Sequence, residues 1–141
     1  MSQVTIKLMV DVVGALESGS LSGNLFAFDT HRRLGSQGIG TDALHTAVAR
    51  GTRIMWVIAP LECEAFVSLE DIVIDRAVCE PELNSYPGSS VTYWIGTVKK
   101  AAPLTSYDLV FSLGSHGRSM VHPARLALIS LGKTSEKGDA Q

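Results

Sequence analysis

The side chains with the most chemistry to offer are two kinds of polar group and two indoles. Asp29, Arg32, Arg33 and Asp42 fall in one glycine-rich stretch, and Trp56 and Trp94 follow in apolar segments. Carboxylates and guanidinium groups hydrogen-bond sugar hydroxyls, and an aromatic face stacks on the C–H side of a sugar ring. Together these six are candidate ligand-binding residues for a carbohydrate. An indole in a strand more often fills a core. The two tryptophans therefore fit either an interior role or an exposed platform.

Other chemistries find less support. His31, His45, His116 and His122 form no HxH pair and no HExxH, and Cys63 and Cys79 form no CxxC. Those spacings are what a His or Cys metal site needs, so no metal and no cofactor is expected. Asp11, Asp29, Asp42, Asp71, Asp75 and Asp108 lack EF-hand spacing. Ser115 precedes His116, but a sequence neighbour is not a general base, and no GxSxG elbow occurs. A Ser–His–Asp site assembled in space stays open as an alternative, because triads are defined by geometry. Gly38-Ile39-Gly40 lacks the third glycine of a phosphate cradle and reads as a loop turn.

The elements that must hold these residues are strands. Val4, Ile6, Leu8, Val10 and Val12 alternate with Thr5, Lys7, Met9 and Asp11. Strict period two indicates a half-buried strand over Val4 to Val12. Gly14 to Ser20 is one short helical turn or a loop. Asn24 to Asp29 is a second strand, Thr30 to Thr41 a long loop, and Asp42 to Ala49 a short helix or a strand, with the alternation of Leu44, Thr46 and Val48 favouring the strand. Gly51 to Ala59 is apolar on both sides and stops at Pro60. Ala65 to Leu69 and Asp71 to Cys79 flank a turn or bulge at Glu70-Asp71. Pro81 to Ser90 reads as a loop. Val91 to Val98 and Tyr107 to Leu113 are strands, Gly114 to Gly117 is a hairpin turn, and strands follow at Arg118 to Val121 and Arg125 to Leu131. Seven to nine short strands with no βαβ alternation predict an all-β fold. The expected form is a two-sheet antiparallel β-sandwich, jelly-roll-like or Greek key, with at most short helical turns.

Size and charge fit that form. At 141 residues the chain is long enough for one domain with its own core. We expect a single β-sandwich domain over 1–132 and a disordered polar tail over 133–141. A net charge of −2 gives no electrostatic reason to expect nucleic acid or an anionic membrane as partner. The two cysteines are expected to be buried and reduced. The first residues hold a short apolar run broken by Lys7 and Asp11, without a cleavage site. No signal peptide or membrane span is expected, which places the protein in the cytoplasm.

Several segments together carry a resemblance: DVVGAL (Asp11 to Leu16), GNLFAFDTHRRLGS (Gly23 to Ser36), GIGTDALHTAVARGTRIMWVIAPL (Gly38 to Leu61), VCEPEL (Val78 to Leu83) and YWIGTV (Tyr93 to Val98). In this order they resemble the bacterial PixA/AidA inclusion body protein family. The resemblance implies a small cytoplasmic bacterial protein, often abundant, under growth-phase or quorum control, with some members forming intracellular inclusions. It implies no catalytic residues. The founding inclusion protein is methionine-rich, whereas this chain has four Met, which weighs against a storage role. The expected function is therefore non-enzymatic and self-associating, a homodimer formed through a sheet face or edge strand. A lectin-like carbohydrate-binding module is the alternative, and a small hydrolase a further one.

Overall fold

A computed structural model describes residues 3–89 and 91–131. The polar tail expected over 133–141 lies outside the described residues. Among the described residues, nine strands and one helix follow in the order β1 (Gln3–Val10), α1 (Val12–Ser18), β2 (Leu25–Asp29), β3 (His45–Val48), β4 (Arg53–Pro60), β5 (Val67–Val73), β6 (Glu82–Ser85), β7 (Thr92–Thr97), β8 (Leu104–Leu113) and β9 (Arg118–Ser130). A 3-10 turn, Arg32–Leu34, lies between β2 and β3. One sheet has the order β2-β1-β4-β7-β6 and the other β3-β9-β8-β5. The all-β, two-sheet expectation holds.

The alternation in β1 does what its pattern requires. Val4, Ile6, Leu8 and Val10 have no exposed surface, and Gln3, Thr5, Lys7 and Met9 point the other way. From the second sheet Tyr107, Leu109, Phe111 and Leu113 meet them, all 0–1% exposed. Each such side chain contributes about 1.5–3 kcal/mol on burial, which is the main force joining the sheets.

The sheets are mixed, which corrects the antiparallel expectation. β1 pairs antiparallel with β2 but parallel with β4, and β3 pairs parallel with β9. Period-two patterning reports which face is buried and is silent on strand direction. A parallel pair needs a long crossover connection. Here the chain between β1 and β4 supplies it by passing through α1, β2 and then β3 in the other sheet.

Local boundaries shift for local reasons. β1 stops at Val10 because Asp11 caps α1: its Oδ1 accepts the N–H of Gly14 at 2.9 Å. The Glu62 carboxylate, from the loop after β4, accepts the N–H groups of Val12 at 3.0 Å and Val13 at 3.2 Å. The hydrogen bond with Glu62 and the Gly14 N–H hold the Asp11 carboxyl below its usual range. Gly19, at φ 74°, closes the helix and returns its N–H to Ala15. Val12 is thus helical but still buried. Within residues 65–79 a single strand forms, β5 (Val67–Val73), with a bulge between Leu69 and Asp71 at the expected irregularity, and Cys79 makes only an isolated bridge to Val98. β9 is a single long strand whose ladder shifts register between Tyr107 and Leu109 of β8, beside Pro123, which lacks an N–H.

Two further expectations are corrected. The segment read as a loop contains β6, paired to β7 from Glu82↔Ile95 to Ser85↔Thr92. Only Cys79 is buried, and Cys63 is exposed. Burial pushes the Cys79 thiol up to about 11, so it stays protonated and unreactive. Its Sγ would lie 2.8 Å from a Cβ on Gly96, and the Pro81 Cα 3.2 Å. Gly96 is the glycine that lets Cys79 and Pro81 cross close above β7. Gly96→Ala is expected to cost about 1–3 kcal/mol through overpacking, read as a lower urea midpoint. Adding Cys79→Ala removes the nearest clashing atom and should recover part of that loss.

Candidate functional site

The six ligand-binding candidates do not converge on one surface. Three of them share a cross-strand row in the first sheet: Asp29 faces Ile6, Ile6 faces Trp56, and Trp56 faces Trp94. That row points into the space between the sheets, because Ile6 and Trp56 are both 0% exposed. Trp56 therefore offers no face to a sugar and takes the interior role of its two readings. Its Nε1–H donates to the Tyr107 hydroxyl at 3.4 Å, and the two rings meet edge-on at 6.1 Å between centroids and 81°. Burial drives the Tyr107 phenol far above its ordinary titration range. Trp94 is half-buried, packs against the core, and donates its Nε1–H to the Leu69 carbonyl at 2.9 Å. Both indoles thus bridge the two sheets.

Asp29 ends β2 on the same inward side. Its Oδ1 accepts the His31 N–H at 2.8 Å, and its Oδ2 is buried without a hydrogen-bond partner among the described residues. Arg32 and Arg33 are exposed on the 3-10 turn that follows. Here a strap, residues 30–44, leaves the first sheet and covers the edge of the second. The buried His31 imidazole holds it by donating Nδ1–H to the Ala47 carbonyl of β3 at 2.7 Å.

Asp42 fastens the far end of that strap. Its Oδ2 accepts the Gly23 N–H at 3.0 Å, and its Oδ1 takes the Arg125 guanidinium at 3.0 Å. Its own carbonyl accepts Nε2–H of the buried His122 at 2.8 Å. Burial pushes the Asp42 carboxyl up. The Gly23 N–H and the charges of Arg125 and His122 outweigh it and hold the group below its usual range. This residue works as a clasp joining the α1–β2 loop, the strap and β9.

A second region was missed by sequence reasoning because it lies around β6. A cavity of about 290 Å³ is lined by residues that include Arg53, Glu80, Glu82, Ile95 and Lys99. Lys99 Nζ lies 3.3 Å from Glu80 Oε1, with both side chains about half exposed (46% and 55%), so the pair adds little stability. Two cations and two carboxylates leave the recess electrically balanced, with no preference for an anion or a cation. Apolar groups crowd the same margin. Leu83 is 55%, Tyr86 43% and Val91 56% exposed, and the Tyr86 and Tyr93 rings meet at 4.8 Å between centroids, tilted by 42°. No sequence signal marked this region, because Pro81, Pro87 and Gly88 bracket four strand residues, too few to show a period, in a turn-rich segment. Among the described residues, no group of three His, Cys, Asp or Glu side chains is placed to hold a metal ion. No helix among them is long and apolar enough to cross a membrane.

These features define a two-sheet β-sandwich closed by a polar strap, and comparison with known proteins agrees. Residues 2–120 match the family described as "Domain of unknown function (DUF8788)", and the chain belongs to that family. A similar solved structure is that of an inclusion body protein, PixA, from Burkholderia cenocepacia J2315. The match has a TM-score of 0.63 and 12% sequence identity, and it covers 93% of this chain and 94% of that one. The resemblance to PixA thus holds at the level of the fold. No curated protein matches the chain in sequence.

The Asp42 clasp carries a prediction. Asp42→Ala is expected to cost about 1–3 kcal/mol, since it strands the Gly23 N–H and removes a charged hydrogen bond. Arg125→Ala should cost less than about 1 kcal/mol, because the guanidinium is half exposed. The Asp42 carboxyl is lowered in the folded state, so its contribution is complete above the unfolded value near ~3.9 and fades as pH falls through the folded one. Urea midpoints measured from pH 6 down to 2.5 should fall less steeply in Asp42→Asn than in the native chain.

Proposed function

We propose that this protein is a non-enzymatic, self-associating member of the PixA-like β-sandwiches, acting in the bacterial cytoplasm through contacts between its own copies. The observation that carries this reading is the margin formed by β6 and β7. Leu83, Tyr86 and Val91 are exposed there together. On the outer face of the same sheet Met9, Phe26, Met55, Val57 and Ile95 are half-buried, with Phe28 40% exposed. Leu83 lies on the face of Trp94 and the other apolar groups on the outer face, so both sides of this margin leave apolar area for a partner to cover. The similar B. cenocepacia protein is described as an inclusion body protein, a description that fits a chain contacting its own copies.

The carbohydrate reading weakens on the same geometry. Of its two aromatic platforms Trp56 is fully covered, and the Asp42 carboxylate is already engaged by Gly23 and Arg125.

Size-exclusion chromatography with light scattering is expected to show a mass approaching twice 15.1 kDa as concentration rises, with dissociation on dilution. A constant monomer mass up to millimolar concentration would remove the proposal.

A further inference from the structure

Sheet edges expose unpaired backbone groups, and soluble β proteins block them. Three of the four edges in this fold are blocked. On β2, the Ala27 N–H donates to Thr41 at 3.0 Å and the Ala27 carbonyl accepts from Gly40 at 2.6 Å. On β3, His45 exchanges bonds with Gln37 at 2.8 and 2.9 Å. The Ala47 N–H reaches Ser36 Oγ at 3.0 Å, and its carbonyl holds His31. On β5, the bulge between Leu69 and Asp71 breaks the edge, and the Ile72 N–H is taken by the Asp71 carboxylate at 2.9 Å. The fourth edge, β6, has none of these devices. Its pairing to β7 is regular and its four residues are exposed. Among the described residues no turn, loop or side-chain hydrogen bond reaches Leu83 or Ser85.

We propose that two copies of this chain join through this edge, β6 against β6, antiparallel across a two-fold axis at Asn84, to make one continuous ten-stranded sheet. This rests on the self-association reading and names its interface. The register follows from the ladder. The Tyr86 N–H donates to the Val91 carbonyl at 3.0 Å, so Tyr86, Asn84 and Glu82 turn their backbone groups toward β7. The groups of Leu83 and Ser85 therefore turn outward. An antiparallel partner must pair through those two residues.

Prolines then leave one register. If Leu83 met its own copy, Ser85 would meet Pro81. If Ser85 met its own copy, Leu83 would meet Pro87. Neither proline has an N–H to give. With Leu83 opposite Ser85 of the second copy, and the reverse, all four outward N–H groups and carbonyls find partners. Side chains agree with that choice. Asn84 meets Asn84 of the second copy, and Glu82 meets Tyr86 of the second copy, so no like charges face one another. The exposed Leu83, Tyr86 and Val91 lie beside the seam and lose water there. A seam this short buries less than the roughly 1,200–2,000 Å² of a stable complex, so the dimer is expected to exchange with monomer.

Cysteine placement tests the register directly. In a chain with the exposed thiol removed by Cys63→Ser, Asn84→Cys is expected to form a disulfide dimer under mild oxidation. Facing residues of a non-hydrogen-bonded pair lie about 4.5 Å apart at Cα, within disulfide reach. Ser85→Cys in the same background should not crosslink. Ser85→Pro removes an N–H that β7 does not use and should weaken dimerisation about tenfold or more, with the far-ultraviolet circular dichroism unchanged. Asn84→Lys sets two ammonium groups face to face at the axis and should do the same, should Ser85→Pro fold poorly. A native chain that dimerises while Asn84→Cys crosslinks no better than Ser85→Cys would overturn this interface and leave self-association standing. A native chain monomeric at every concentration would overturn both.

Discussion

The parallel pairing of β1 with β4 is the constraint on which the rest of this molecule depends. β1 is buried along its whole inner face and hydrogen-bonded on both sides, by β2 and by β4. Two parallel neighbours cannot be joined by a tight turn. Before β4 can begin, the chain must be carried back from the end where β1 stops to the end where β1 starts. On that excursion it makes α1, returns antiparallel as β2, crosses as the strap and lays β3 against β9. Each of these elements occupies the position that this detour leaves for it. Glu62 ties the excursion back to its origin, since it follows β4 yet caps the helix that follows β1.

A crossing segment carries backbone polar groups through a partly dry region, and those groups must be satisfied. That requirement explains the two buried histidines better than any catalytic role. His31 and His122 each donate one ring N–H to a backbone carbonyl, of Ala47 and Asp42. Asp42 then joins three stretches that are far apart in sequence. Polar residues that look like ligand-binding equipment are here spent on holding the strap down. The same logic applies to Trp56 and Trp94. Each has one polar atom to satisfy, and each satisfies it in the opposite sheet, on Tyr107 and on Leu69.

Sequence reading recovered what depends on local pattern. The strand faces, the two-sheet architecture, the bulge near Asp71 and the hairpin at Gly114 to Gly117 are all written in spacing and turn chemistry. Strand direction was not legible, because Val4 to Val10 would alternate identically in a parallel or an antiparallel partner. β6 was not legible either. Pro81, Pro87 and Gly88 bracket four residues too few to show a period, and the strand exists because β7 pairs with it. Of the candidate site, the aromatic residues were found as types, with an interior role and an exposed platform both left open. Nothing in a strand's sequence states which of its faces a second sheet will cover, and Asp42 became legible as a clasp only once Gly23 and Arg125 were beside it.

The treatment of edges connects fold to function. A sandwich whose sheets never close must finish four edge strands, and blocking one takes residues that contribute little to the core. This chain devotes the strap to two edges at once: Gly40 and Thr41 cover β2, while Ser36 and Gln37 cover β3. It devotes a bulge to β5. Asp29 adds an inward carboxylate at the end of β2, a device that discourages a further strand there. Against that investment, an unblocked β6 set beside exposed Leu83, Tyr86 and Val91 stands apart from the other three edges. The prolines at its two ends limit it to a four-residue seam. Propagation is limited as well, because a two-fold contact at β6 uses the free edge of both copies. Each resulting sheet then ends in β2, which is already covered.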